Sequence, residues 1–171
     1  RFFEQKNHPF LLELAGSLKK TGTPFQAVFA GDGPLRKQIE EQAARLGLED
    51  EVLFLGVVED VPSLMRTFDV FVMPSLFEGL PLVLVEAQAS GLPCVVSDTI
   101  TKETDLGLGL LKRVSLGAGF DRWAEEIGRA QQAEQPAWPD IESALAARGY
   151  DAKANLTRLM DLYSISLAEG Q

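Results

Sequence analysis

The stretch FQAVFAGDGPLRKQIEEQAARLGLEDEVLFLG, residues 25–56, contains two short apolar segments with a polar, helix-like segment between them. Phe25–Gly31 and Glu51–Gly56 are apolar almost throughout and end in glycine, as buried strands often do. The segment between them begins at Pro34, which suits the first turn of a helix, and stops at Gly47. This stretch therefore predicts a parallel strand–helix–strand unit.

The same alternation continues along the chain. Three further apolar segments, Asp69–Ser75, Leu92–Asp98 and the weaker Gly109–Leu116, are separated by helical patterns. Continuous apolar strands that alternate with helices predict a doubly wound α/β domain, in which helices cover both faces of one parallel sheet. Residues 118–171 are predicted to form a helical tail, and the 171 residues are expected to form a single domain.

Local signals predict where individual helices begin and end. Asn7 is expected to cap the first helix with its side chain, and Asp60 is expected to cap another that has Pro62 in its first turn. A further helix is predicted to begin near Pro81 and to stop at Gly91.

Composition excludes several classes of function. The net charge of −9 argues against nucleic-acid binding, since such proteins usually carry basic clusters. One cysteine, Cys94, excludes an internal disulfide, and one histidine argues against a histidine-built metal site. That histidine, His8, is expected at the surface at a helix start. No apolar run approaches the roughly 18 residues of a transmembrane helix, and no signal peptide is recognisable.

Two glutamates flank an apolar run in the segment SLFEGLPLVLVEAQASG, residues 75–91. Glu78 follows a predicted strand, so it is expected at the carboxyl edge of the sheet, where open α/β proteins bind ligands. The helix that begins near Pro81 directs free amides and its positive dipole end to this edge, which favours an anion. The neighbours of Glu86 are apolar on most sides, so we expect a largely buried helix whose carboxylate needs a partner or a ligand's hydroxyl groups.

Simpler interpretations exist for these and other motifs. Glu78 would then be a turn residue and Glu86 a solvated helix charge. The segment GDGPLR, Gly31–Arg36, lacks the third glycine of a dinucleotide fingerprint and the Gly-Lys-Ser/Thr of a P-loop. We interpret it as a tight turn between strand and helix.

Several motifs together resemble the glycosyl transferases group 1 family. The resemblance extends from residue 1 to about residue 105 and includes EQKNH, residues 4–8, and FAGDGPLR, residues 29–36. It also includes the Glu-x7-Glu block PSLFEGLPLVLVEAQASGLPCVVSD, residues 74–98, and is strongest with members that build bacterial exopolysaccharide or capsule. The resemblance implies the GT-B fold and retaining sugar transfer, with this chain as the donor-binding half.

The resemblance also implies roles for individual residues. Arg1 and Lys6 would bind the donor's diphosphate and neutralise the leaving group, on which charge develops during transfer. Glu78 would lie near the donor sugar and its phosphate, and Glu86 would accept hydrogen bonds from both ribose hydroxyls. Val57 would lie against the base. Backbone groups for the sugar and diphosphate would come from Gly79, Leu80, Leu82 and Val83.

The implied ligand is a nucleotide-sugar, by default a UDP-sugar, and the implied acceptor is a saccharide or a lipid-linked molecule. The acceptor would be held by an N-terminal domain outside this chain, so the chain by itself is expected to be inactive. Since no metal-ligand spacing occurs in the sequence, binding is expected to be metal-independent. No nucleic-acid partner is expected, and the expected location is the cytoplasm, with peripheral attachment to the inner membrane face left open.

Two other function classes stay open. One is a nucleotide-sugar epimerase of the GT-B fold, against which a single histidine leaves few general bases. The other is a non-catalytic, doubly wound ligand-binding module. Binding of a nucleoside diphosphate would separate the first two classes from the third, and sugar transfer would separate transferase from epimerase.

Overall fold

A computed structural model describes residues 1–168 of the chain. In this part of the chain, four α-helices alternate with the first four strands as the sequence predicted, a 3-10 turn precedes the fifth strand, and three further α-helices follow it. The helices are α1 (His8–Lys20), α2 (Arg36–Arg45), α3 (Val61–Met65), α4 (Leu82–Ala89), α5 (Phe120–Gln131), α6 (Trp138–Ala147) and α7 (Ala152–Ala168). The strands are β1 (Ala27–Ala30), β2 (Val52–Gly56), β3 (Phe71–Met73), β4 (Cys94–Ser97) and β5 (Leu111–Val114). Three short 3-10 turns span Glu4–Lys6, Lys102–Thr104 and Leu116–Ala118.

All strand pairs are parallel, but the strands form two hydrogen-bonded groups and not the single sheet that was expected. One group is β1–β2 and the other is β3–β4–β5. The chain at residues 1–5 connects the two groups at their carboxyl edge. There the Phe2 amide donates to the Asp32 carbonyl at 3.0 Å, and the Leu76 amide donates to the Gln5 carbonyl at 2.8 Å. Backbone bonds to this segment thus link β1 and β3 indirectly.

The core has helices on both faces of the strands, as a doubly wound fold requires. All four residues of β4 are buried. On one face Cys94 and Val96 pack with Leu84 of α4, and on the other Val95 packs with Trp123 of α5. Helix α1 contributes to both strand groups, because some of its residues join the cluster around β1–β2 and others join the cluster around β4–β5. Burial also raises the pKa of the Cys94 thiol to about 12.

Two helix starts differ from the sequence prediction, while a third agrees with it. Asp60 caps α3 as predicted, since its carboxylate accepts from the Ser63 amide at 3.0 Å. Asn7 makes no side-chain bond to α1, so the predicted capping bond is wrong. Helix α2 begins at Arg36, two residues after the predicted Pro34. Residues 34–35 form a turn before the helix, and the Leu35 amide donates to the Phe2 carbonyl at 3.2 Å.

The turn between β1 and α2 is a packing site for the start of the chain. A Cβ atom on Gly33 would lie 2.6 Å from the Phe2 carbonyl oxygen and 2.7 Å from the Phe2 amide nitrogen. A Cβ atom on Gly31 would lie 3.1 Å from the Arg1 nitrogen. These glycines allow backbone to lie directly on backbone, which supports the structural interpretation of GDGPLR.

His8 is not the surface residue that the sequence analysis expected. Its ring stacks on Phe2 with the centroids 4.5 Å apart, and Phe29 meets it edge-on at 5.8 Å. Its Nδ1 atom is buried and has no hydrogen-bond partner among the described residues. Burial lowers the pKa of His8 from 6.5 to about 4, so the ring is neutral at pH 7.

The His8 environment predicts how stability changes with pH. Between pH 6.5 and 4, His8 binds a proton in the unfolded chain but stays largely neutral in the folded chain. Lowering the pH through this range therefore reduces the free energy of unfolding. His8→Phe keeps a ring against Phe2 and removes the titrating group. We expect the variant to lose less unfolding free energy than the wild type between pH 7 and pH 4.5, measured by urea denaturation. Both proteins carry the same carboxylates, so carboxylate titration contributes equally to the two losses. An equal loss of unfolding free energy in both proteins would therefore contradict the assignment of the difference to His8.

The tight turn at Gly33 gives a second prediction. Gly33→Ala places a methyl group against the Phe2 backbone, and we expect a loss of roughly 1–3 kcal/mol of stability from overpacking. Gly16→Ala in α1 is the matched control, because a Cβ atom there meets nothing within 4 Å. Alanine also favours helix over glycine by about 1 kcal/mol, so the control should be at least as stable as the wild type. Chemical denaturation measures both, and similar stability of the two variants would refute the packing role.

Candidate functional site

The predicted site lies where the chain crosses the carboxyl ends of β1, β2 and β3. Lys6, at the end of the first 3-10 turn, and Glu78, in the loop between β3 and α4, form an ion pair there. Lys6 Nζ lies 2.7 Å from Glu78 Oε1, and the two side chains are 25% and 9% exposed. The fold thus brings two predicted site residues into direct contact across 72 positions of sequence.

The loop that carries Glu78 is held by hydrogen bonds on the side of the chain's first residues. The Leu76 amide donates to the Gln5 carbonyl at 2.8 Å. Asn7 Nδ2 donates to the Pro74 carbonyl at 3.1 Å. With the Lys6–Glu78 pair, three consecutive residues of the N-terminal segment contact this loop, which fixes the position of Glu78.

Hydroxyl groups hold the same loop from the side of β4. Ser97 Oγ and Thr99 Oγ1 both donate to the Ser75 carbonyl, at 2.6 and 2.9 Å. Arg113 Nη2 donates to the carbonyls of Asp98 and Ile100, which fixes the turn that carries Thr99. The sequence analysis missed these supporting residues and the contact of Asn7. The hydroxyl residues after β4 were a usable signal, because strand ends with hydroxyl groups often bond neighbouring loops.

The beginning of α4 presents uncapped backbone amides to this edge. Its N-cap residue is Pro81, and no side chain caps the helix. Gly79, Leu80 and Leu82 are exposed, whereas Val83 is half-buried. The first amides of a helix have no partner within the helix, and they attract anions together with its positive dipole end.

Glu86 differs from the sequence prediction because its side chain is exposed. Helix α4 buries Leu84, Val85 and Ala87, so it is largely buried as expected, but the narrow outward face carries Leu82 and Glu86. These two residues are four apart and therefore lie one turn from each other on the same side. The Glu86 carboxylate has no hydrogen bond or ion pair within the described residues, which leaves it open to a ligand.

The other two predicted side chains, those of Val57 and Arg1, lie at the same edge. Within the described residues, no contact between them closes the site. Val57 follows Gly56 at the end of β2, and 76% of Val57 is exposed. Arg36 extends over Gly56, where its Nη1 lies 3.3 Å from the position of a Cβ atom. Arg1 is exposed, with its backbone against Gly31 at the end of β1.

This edge combines charge with exposed apolar side chains. Lys6 and Arg1 supply cations at this edge, and the first amides of α4 are uncapped; both kinds of group can bind phosphate. Large apolar residues on the surrounding loops and at the start of α4 are exposed: Leu76, Phe77, Leu80, Leu82 and Val57. Among residues 1–168, no group of three or more histidine, cysteine or acidic side chains is arranged to hold a metal ion. The arrangement can hold an anion, while its apolar surroundings offer contacts for a larger partner.

Comparisons with known proteins identify similar sequences and similar structures. A family model described as "Glycosyl transferases group 1" matches residues 1–104. EpsF of Bacillus subtilis (strain 168) is 57% identical over 166 residues, which are 97% of this chain and 43% of EpsF. The "UDP-Gal:alpha-D-GlcNAc-diphosphoundecaprenol alpha-1,3-galactosyltransferase" of Escherichia coli is 38% identical over 101 residues, which cover 57% of this chain and 26% of that protein.

A solved structure supports the fold. HepE of Anabaena, crystallised with UDP, is 24% identical and superposes with a TM-score of 0.71 over 96% of this chain and 47% of HepE. At this identity the likeness concerns the fold, and it confirms the doubly wound α/β fold predicted from the sequence. The chain spans less than half the length of these three proteins.

Proposed function

Because the chain belongs to the glycosyl transferases group 1 family, we propose that it is the nucleotide-sugar-binding domain of a retaining glycosyltransferase in polysaccharide biosynthesis. The observation that carries this proposal is the Lys6–Glu78 pair at the carboxyl edge of the strands. The uncapped start of α4 follows in the same loop region. Together they supply a fixed cation, a fixed carboxylate and free amides for a sugar diphosphate.

In this proposal, the diphosphate of the donor binds to Lys6, Arg1 and the first amides of α4. Negative charge develops on the departing phosphate during sugar transfer, and fixed positive groups stabilise it without reorganising. Lys6 is already fixed by Glu78 at 2.7 Å, so its side chain loses little further freedom when phosphate binds. Glu78 lies beside the leaving group, where its carboxylate can contact the sugar.

The nucleoside occupies the outer part of the edge. Glu86 is exposed and has no partner, so its two carboxylate oxygens are free to accept hydrogen bonds from adjacent ribose hydroxyls. The exposed Val57 at the end of β2 offers an apolar surface and backbone groups to the base. A UDP-sugar is the proposed donor, which is supported by the UDP in the HepE crystals and in the name of the E. coli relative.

The acceptor is proposed to be a saccharide or lipid-linked molecule held by a second domain that faces this edge. Relatives are more than twice as long as this chain, which leaves room for such a domain. The exposed apolar loop residues around Lys6 and the exposed Leu156, Leu159 and Tyr163 of α7 supply surface for it. Without that domain the acceptor cannot be oriented or water excluded, so the isolated chain is proposed to be inactive.

Attachment to a membrane is proposed to be peripheral, if the acceptor is lipid-linked. No helix among residues 1–168 combines the length and apolarity needed to cross a bilayer. The E. coli relative is named for a diphosphoundecaprenol-linked acceptor, which supports a lipid-linked acceptor for this chain as well. Donor binding itself is proposed to need no metal, since fixed cations and helix amides can take the position of a metal at the diphosphate.

Calorimetric titration of the full-length protein with UDP, GDP and ADP tests the proposed function. We expect binding of at least one nucleoside diphosphate with the same affinity in the presence and absence of a chelator. Binding that disappears with chelator would contradict metal independence while leaving nucleotide binding intact. If none of the three nucleotides binds, the chain would instead be a non-catalytic module of the same fold.

The two glutamates are expected to affect different parts of the donor. Glu86→Ala removes charge-assisted hydrogen bonds to ribose, so UDP should bind about 10- to 150-fold more weakly, equivalent to roughly 1.5–3 kcal/mol. Glu78→Ala should weaken binding of UDP-glucose more than binding of UDP, because the carboxylate lies beside the sugar.

Glu142→Ala, a change of an exposed glutamate on α6, is the matched control and should leave both affinities unchanged. Equal effects of Glu78→Ala and Glu86→Ala on UDP and on UDP-glucose would refute the division of roles.

A further inference from the structure

Asn7 has an unusual backbone conformation for a residue with a side chain. Its φ is 55° and its ψ is 45°, in the left-handed region, and it is the only non-glycine residue with positive φ in the described chain. Such a conformation is unfavourable for most residues, and asparagine tolerates it better than most. A residue is held this way when surrounding contacts over-determine its position.

The left-handed turn lies at the junction between the first 3-10 turn and α1. The Asn7 amide donates to the Glu4 carbonyl at 3.0 Å and closes the 3-10 turn. The Asn7 carbonyl accepts from the Phe10 amide at 3.1 Å in the first turn of α1. The reversal at Asn7 therefore lets α1 run back along the strands while the preceding residues stay at the carboxyl edge.

The Asn7 side chain contacts the Glu78 loop and not the helix it precedes. Its Nδ2 donates to the Pro74 carbonyl at 3.1 Å, across 67 positions of sequence. Lys6, one residue earlier, pairs with Glu78, and Gln5 accepts from the Leu76 amide. Asn7 is thus the last of three consecutive contacts between the N-terminal segment and the loop.

We propose that Asn7 is a positioning residue, which places the Lys6 ammonium for the donor diphosphate through its left-handed backbone and its bond to Pro74. This role rests on the proposed function. Lys6 and Asn7 are adjacent, so a shift of the Asn7 backbone away from Pro74 moves the Lys6 backbone with it. Fixed placement of a cation matters most where charge develops, because a misplaced cation stabilises the phosphate less.

Three substitutions separate the backbone from the side-chain contribution. Asn7→Gly keeps the left-handed conformation accessible but removes the amide group. Asn7→Asp has nearly the same size and tolerates the same backbone, but a carboxylate cannot donate to the Pro74 carbonyl. Asn7→Ala removes the bond and disfavours the backbone conformation, so it should have the largest effect.

The experiment uses the full-length protein and compares calorimetric affinities for UDP and uridine. Uridine carries no phosphate, so it reports on the ribose and base contacts alone. We expect Asn7→Asp and Asn7→Gly to weaken UDP binding by roughly 2- to 12-fold, the range for one lost hydrogen bond, and to leave uridine binding at its wild-type value. A general loss of structure would weaken both ligands, and thermal unfolding of each variant checks for it.

A double-mutant cycle tests whether Asn7 acts through Lys6. In a Lys6→Ala background, Asn7→Gly, which adds no charge, should cause no further loss of UDP affinity, because the cation that Asn7 places is absent. Additive losses, or wild-type UDP affinity in Asn7→Asp, would overturn the positioning role while nucleotide binding by the wild type stands. If the wild-type protein binds none of UDP, GDP and ADP, the proposed function and this role both fail.

Discussion

The ion pair between Lys6 and Glu78 joins two segments that the chain order keeps far apart. One segment crosses the end of β1, and the other follows β3, so the pair links the two groups of strands at their carboxyl edge. The packing of Phe2 against Gly33 brings the first segment to this edge. The hydroxyl groups of Ser97 and Thr99 hold the second from the opposite side.

The Lys6–Glu78 pair is suited to ligand binding because it is only partly buried. Glu78 is nearly enclosed and would be costly to bury without a cation, while Lys6 keeps enough exposure to meet a ligand. A fully exposed pair would be screened by water and salt, and its side chains would be free to move. Here backbone contacts on both sides hold the two residues, so the geometry does not depend on the ion pair alone. Such fixed charges suit the binding of a sugar diphosphate.

Helix α4 combines a packing role with an uncapped start at the candidate site in only eight residues. Its buried side chains pack on β3 and β4, and this packing directs its uncapped first turn to the site edge. Only a narrow face, with Leu82 and Glu86, remains in solvent. Exposed apolar residues on the neighbouring loops lie at the same edge, and such a surface is suited to contact with a partner.

The sequence by itself determined the order of strands and helices, the family, and the edge at which the candidate residues lie. Apolar periodicity and the breaks at glycine and proline are local properties, so the five strands and the helices appear where they were predicted, with the strands one to four residues shorter. Only the tertiary structure decided the rest, because it depends on which surfaces meet. Asn7 bonds Pro74 and does not cap α1, because its backbone is left-handed, which a capping residue usually is not, and its side chain is directed to the distant Pro74 carbonyl. Glu86 is exposed because the neighbours of α4 cover its other sides, and His8 is half-buried because Phe2 stacks on its ring. Local pattern cannot show which of several apolar neighbours packs against a side chain, and that choice set the geometry of this site.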